Sequence, residues 1–245
     1  MSDYRSIRQY DHALMIGEIV SSDFDVWISG EDSYATPAPV YETVTVPGRP
    51  GALLIDEDNP GRFQNRDFSF PCFISRRFPE RFAAFRQALL ALRGYQKIRT
   101  TYHMGEYRLG YLSADIEPDT GPYNDSGRFV LTFSCQPQRW LDSGSVPQQI
   151  QNGAALANPT GHTALPLIQV QGSGSGALTI AGATLTLNDC DGVMLDCQQE
   201  DAYRGTENLN LTVSGDYPVL GPGLSPVSWS GGINGVNITA RWWRP

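Results

Sequence analysis

Apolar side chains recur along residues 78–92 at steps of four, three, four and three: Phe78, Phe82, Phe85, Leu89 and Leu92. That spacing lays one stripe along a helix and predicts a helix over Pro79–Arg93. Pro79 suits the first helical position, Glu80 suits the positive end of the helix dipole, and Gly94 stands where a left-handed carboxyl cap belongs. Arg81, Arg86 and Arg93 fall off the stripe, so the helix is expected to lay one face on a sheet.

Elsewhere the pattern has period two or shorter runs. His12–Gly30 reads as two strands, with Phe24 and Val26 on one face. Glu31–Tyr41 is polar and Pro-containing, hence a loop. Glu42–Pro47 alternates as a strand, V-P-G-R-P-G (Val46–Gly51) is turn chemistry, and Ala52–Ile55 resumes the strand before a second turn, D-E-D-N-P-G. Asp67–Ile74 puts Phe68, Phe70 and Cys72 on one face. Lys97–Tyr102, Tyr107–Ile116 and Gly127–Cys135 follow the helix as strands. Beyond Ser143-Gly144-Ser145 helical periodicity disappears. Strands are expected at Leu167–Val170, Ala177–Ile180, Thr184–Leu187, Val193–Asp196, Asn208–Ser214 and Val236–Trp243. Short strands with Gly and Asp-Gly turns point to a sandwich. The expected fold class is therefore mainly β in two domains: 1–143, a β-sandwich bearing helix 79–93, and 144–245, a second β-sandwich.

With 245 residues the chain can hold two ordinary cores. The net charge of −8 disfavours nucleic-acid binding, which needs a basic face. Lys97 is the only lysine; the other 17 basic residues are Arg, and 15 of the 18 lie before residue 144. Arg holds carboxylates bidentately and is enriched at protein interfaces, although codon bias gives the same count. The start, M-S-D-Y-R-S-I-R, has no apolar signal region, and no run is long enough to span a bilayer. Cys72, Cys135, Cys190 and Cys197 lack C-x-x-C spacing and are expected as reduced core thiols. The sequons at Asn124, Asn210 and Asn237 then read as chance matches.

Candidate chemistry is sparse. His12, His103 and His162 have no flanking ligand pattern. Asp189, Asp191, Gly192 and Asp196 faintly resemble a calcium loop, but Asp191-Gly192 also reads as a hairpin turn. G-S-G-S-G (Gly172–Gly176) lacks the phosphate-loop Lys and reads as a flexible strand connection. Asp196, Glu200 and Asp201 offer carboxylates for glycoside hydrolysis without a marked cleft. Trp229, Trp242, Trp243, Tyr203 and Tyr217 make a sugar-stacking module conceivable, against the commoner role of core packing. If residues 236–243 form one strand, Trp242 and Trp243 point to opposite faces. No catalytic, cofactor-binding or metal-ligating residue is assigned, and an enzyme is not expected.

Several segments, taken in order, carry a resemblance: V-P-G-R-P-G-A-L-L, F-P-C-F-I (Phe70–Ile74), L-R-G-Y (Leu92–Tyr95), F-V-L-T-F-S-C-Q-P-Q-R-W-L, N-P-T…A-L-P-L-I, D-C-Q-Q-E-D-A-Y (Asp196–Tyr203) and A-R-W-W. Over roughly residues 40–245 the chain resembles the distal tail (Dit) proteins of long-tailed phages, in the short two-domain form found in phages and prophages of Gram-positive hosts. The resemblance implies an N-terminal β-sandwich with a helix that forms a homo-hexameric ring, and a C-terminal galectin-like sandwich. It implies a hub at the virion tail tip, assembled in the host cytoplasm, joining the tail tube and tape measure proteins to baseplate and adhesion proteins. Family members with receptor activity of their own carry long inserted carbohydrate-binding modules, and this chain has no room for one. A lectin-like module is the alternative reading.

Overall fold

The computed structural model describes residues 12–29, 36–55 and 63–245. The expected turn at 56–61 and the first part of the expected loop, 31–35, lie outside the described residues. The chain divides into two compact units. One holds the described residues up to Arg139 together with Pro245, and the other is Trp140–Arg244. Both are built mainly from antiparallel strands, so the fold is mainly β.

The first unit contains β1 (Leu14–Ile16), β2 (Ile19–Val20), β3 (Trp27–Ile28), β4 (Glu42–Thr45), β5 (Ala52–Ile55), β6 (Arg66–Ile74), α1 (Phe78–Ala91), β7 (Gln96–Thr100), β8 (Glu106–Leu112), β9 (Asp119–Thr120) and all but the last two residues of β10 (Gly127–Leu141). The sheet order is β2-β1-β7-β8-β10-β6-β3, with β9 alongside β10. β6 and β10 pair over nine residues, from Gly127↔Ile74 to Cys135↔Arg66. This register puts Phe68, Phe70, Cys72 and Ile74 on the same face as Phe129, Leu131, Phe133 and Cys135, and all eight are buried. The expected stripe of α1 closes that face: Phe78, Phe82, Phe85 and Leu89 are buried in the same core. Phe82 and Phe85 lie 5.0 and 6.2 Å from the Phe129 ring.

Local differences have local causes. Ser21–Phe24 is a 3-10 turn ended by Asp25 at φ 53°, so Phe24 and Val26 do not belong to one strand. Phe24 reaches the core from that turn, 5.4 Å from Phe85. The helix begins at Phe78, after Arg77 in left-handed conformation, and ends at Ala91. Gly94 does have positive φ, at 66°, but lies past an extended Leu92 and so is not the immediate cap. β10 runs six residues past the expected end at Cys135.

The second unit contains α2 (Asp142–Ser145), β11 (Gln148–Ile150), β12 (Ala155–Asn158), β13 (Leu167–Ile180), β14 (Ala183–Leu187), β15 (Met194–Asp196), β16 (Asp201–Arg204), β17 (Glu207–Asn208), β18 (Val213–Gly215), β19 (Gly223–Thr239) and β20 (Trp243–Arg244). The order is β11-β19-β13-β15-β16-β17; β12 joins β19, and β14 links β13 to β18. Ser143-Gly144-Ser145 lies in the single turn of α2, where a Cβ on Gly144 would stand 2.3 Å from the Trp242 nitrogen.

G-S-G-S-G is not a flexible connection but the middle of the 14-residue strand β13. Opposite it, Gly172 pairs with Ile233 and Gly176 with Gly231, so residues 173–175 face Gly232 alone. The two backbones touch there. A Cβ on Gly232 would meet the Ser173 carbonyl oxygen at 1.8 Å, and one on Gly172 would meet the Gly232 oxygen at 2.2 Å. Glycine permits this approach, and the paired bulge bends both strands. One core therefore takes Ile168 and Val170 from before the bulge and Leu178 and Ile180 from after it. The expected strand 208–214 is likewise broken, into β17, a 3-10 turn over Asn210–Thr212, and β18.

Candidate functional site

Most of the groups singled out by the sequence have a structural partner. Asp191-Gly192 is not a hairpin turn, because β14 and β15 do not pair with one another. The loop is instead filled by a guanidinium from β16. Arg204 Nη1 lies 3.0 Å from Asp189 Oδ2 and donates to the Asp191 carbonyl at 2.9 Å, while Nη2 lies 3.1 Å from Glu207 Oε2. The Asp191 amide donates to Asp189 Oδ1, and this bond, followed by Arg204, holds the Asp189 carboxyl below the ordinary range. The Asp189 carboxylate and the Asp191 carbonyl are thus already engaged by a cationic side chain, and Asp196 is tied to Arg241 instead. Among the described residues, no group of three or more His, Cys, Asp or Glu is placed to hold a metal.

Asp196 faces Asp201 across the β15–β16 hairpin, but it is not available as an acid. Arg241 grips both its oxygens, at 2.7 and 2.9 Å, and the Gln198 amide donates to Oδ1 at 3.0 Å. The Arg241 guanidinium, aided by the Gln198 amide and against the cost of burial, keeps the carboxyl below the usual carboxylate range. A general acid in glycoside hydrolysis needs the opposite shift.

The aromatics are committed too. The expected single strand over residues 236–243 ends at Thr239, and Arg241, at φ 58°, turns the chain before β20. Trp242 is 2% exposed in the core. Trp243 stacks on His162 with ring centroids 4.7 Å apart and donates from Nε1 to the Thr163 carbonyl at 2.8 Å. Trp229 and Tyr217 pack against the core. His12 bonds the Tyr102 hydroxyl at 2.8 Å, and His103 lies in the turn between β7 and β8. The four cysteines are free and buried, and burial pushes the Cys135 and Cys197 thiols up to about 12. Asn210 accepts from the Ala202 amide, and Asn237 donates to Gln169.

What the first unit offers instead is surface. The face of β6 and β10 turned away from the core forms an open cavity of about 1100 Å³. Pro71, Phe73 and Val130 line it, together with Asp115, Glu117 and Asp119. Among the described residues β4 and β5 pair only with each other, and Val44 and Leu54 on this hairpin are exposed. Sequence reasoning found the strands of the hairpin but carried no signal that it stands outside a core. Arg108 is buried with its guanidinium 4.2 Å over the Phe68 ring; burial and then the charge of Arg139 lower it to about 10, so it stays charged at neutral pH. Among the described residues no helix is long and apolar enough to cross a membrane.

No family model and no curated protein matches the sequence. Solved structures do match. The Dit protein (gp 19.1) of SPP1, presented as a paradigm of the hub adsorption apparatus in phages infecting Gram-positive bacteria, superposes with a TM-score of 0.72 at 12% identity. The match covers 95% of this chain and 99% of that one. The chain has the Dit fold. A chain of the phage p2 baseplate, in its activated conformation with Sr, matches at TM-score 0.50 and 10% identity over 95% of this chain and 98% of that one. The match spans both compact units of the chain, the helix-bearing first unit and the mainly stranded second.

Proposed function

We propose that this protein is a structural hub of a phage tail tip, without catalytic activity, which assembles as a homo-hexameric ring between the tail tube and the baseplate or adhesion proteins. The observation that carries this reading is the end-to-end match to the SPP1 hub protein. The number six comes from the family resemblance. The molecule adds physical support. Asp189 and Asp196, two carboxylates of its candidate sites, are held by Arg204 and Arg241, and among the described residues no set of nucleophile, base and electrophile comes together. Its first unit presents an exposed hairpin and an uncovered sheet face, both suited to contacts between subunits. Domains 1–143 and 144–245 are proposed as the ring-forming and the galectin-like parts. Tail tube, tape measure and adhesion proteins are the proposed partners, the virion tail tip the proposed location and the bacterial cytoplasm the proposed place of assembly.

Native mass spectrometry and light scattering across a concentration series, with and without the neighbouring tail proteins, test the proposal. A closed ring of fixed stoichiometry is expected. A strict monomer in every condition, above all one that binds glycans, would replace the hub by the lectin-like reading. The burial of Trp242 and the engagement of Trp243 by His162 weigh against that alternative.

A further inference from the structure

Two features sit at opposite ends of α1. At the amino end, Asp125 receives the Arg77 amide on its side chain and the Phe78 amide on its carbonyl, each at 3.0 Å. Two residues earlier, Tyr123 is 101% exposed and holds φ 62°, ψ 12°. A bulky side chain in that region is strained, and strained positions concentrate at functional contacts. The segment leading up to it carries Asp115, Glu117 and, in β9, Asp119, all exposed and with no ion pair among the described residues. At the carboxyl end lies a cleft of about 360 Å³ bordered by Leu90, Leu92, Arg93, Tyr111 and Leu112. Leu90 is 56% exposed, and Tyr95 stands edge-on to Tyr111 beside it. Arg93 donates to the Leu90 and Leu92 carbonyls but meets no carboxylate among the described residues.

We propose that Tyr123 of one copy seats in this cleft on a second copy, as a knob-and-socket contact repeated head to tail around the ring. The inference rests on the hub reading above. Knob and socket cannot meet within one copy, because the 14-residue helix holds them about 21 Å apart at 1.5 Å per residue. A head-to-tail interface requires two such different patches on each subunit. The charges match: the acidic Tyr123 loop meets Arg93, and Arg86 on the same helix likewise has no carboxylate partner among the described residues. Tyrosine is a frequent interface anchor because it brings a large apolar body and a polar tip.

The test uses the full chain under conditions where the wild type forms its ring. Tyr123→Ala removes the knob, and Leu90→Glu blocks the socket with a charge that repels the acidic loop. Both sites are exposed, so circular dichroism and melting temperature should be unchanged. Each variant alone should raise the concentration for half-assembly at least about tenfold. Mixed together they should give one-to-one dimers that do not extend, because only one productive contact remains. A Tyr123→Ala ring that forms like the wild type overturns the contact and leaves the hub reading intact. Loss of the ring with Tyr123→Ala but not with Leu90→Glu overturns the socket. A wild type that never assembles, even with neighbouring tail proteins, overturns both the ring and the contact.

Discussion

Arg241 holds Asp196 through two parallel hydrogen bonds, 2.7 and 2.9 Å long, across 45 residues of chain. Arg241 itself is in left-handed conformation, at φ 58°. The pair fixes the chain at the point where it leaves β19, and it commits one of the three carboxylates that the sequence offers for glycoside hydrolysis.

Asp196→Asn should cost about 2 kcal/mol of stability at neutral pH, the scale of a charge-assisted bond. The acid limb of the stability profile should change as well. The folded-state value of Asp196 lies below its unfolded value, so the unfolded chain holds the proton more tightly. The contribution is therefore complete above about pH 4 and is lost as pH falls through the folded value. Urea titrations between pH 2 and 7 should show a shallower acid loss in Asp196→Asn than in the wild type. Arg241→Gly should be less damaging than Arg241→Ala by up to about 1 kcal/mol, because both lose the pair but only glycine relieves the left-handed backbone.

Gly232→Ala should be among the most destabilising substitutions in the second unit. Its Cβ would sit 1.8 Å from a backbone oxygen, which no side-chain rotation can relieve. A loss of about 3 kcal/mol or more is expected in urea unfolding. Gly221→Ala, with nothing within 4 Å of the added carbon, serves as the control and should stay within about 0.5 kcal/mol. Equal effects at the two positions would show that the paired bulge is not the close approach described here.

Periodicity made the helix and the central strands legible. Phe82, Phe85 and Leu89 repeat often enough to fix a face, and Phe129, Leu131 and Phe133 alternate without interruption. What escaped was set by contacts distant in sequence. The G-S-G-S-G run at 172–176 reads as a flexible connection because local chemistry cannot reveal that Gly231 and Gly232 stand opposite it. Asp191-Gly192 fits a hairpin turn equally well on paper; Arg204, 13 residues on, decides that it is a closed loop around a guanidinium. The grip of Arg241 on Asp196 has no sequence signature at all. Surface assignments suffered in the same way. Nothing in Glu42–Thr45 distinguishes a strand that joins a core from one that stands apart with its partner.

The helix stripe gives the sharpest stability test in the first unit. Phe85 is fully buried, with Phe24 at 5.4 Å and Phe129 at 6.2 Å between ring centroids. It is thus the residue through which α1 meets both the 3-10 turn and β10. Phe85→Ala removes the ring from a site walled by strands that cannot collapse freely, and should cost about 3–5 kcal/mol. Phe85→Leu keeps much of the volume and should cost less than about 2 kcal/mol. Gln87→Ala, on the exposed side of the same helix, should stay within about 0.5 kcal/mol. Chemical denaturation of all three variants, followed by circular dichroism, separates loss of the core contact from any general weakness of the helix. A loss below about 1 kcal/mol in Phe85→Ala would mean that the helix face is not packed on this sheet in the isolated protein.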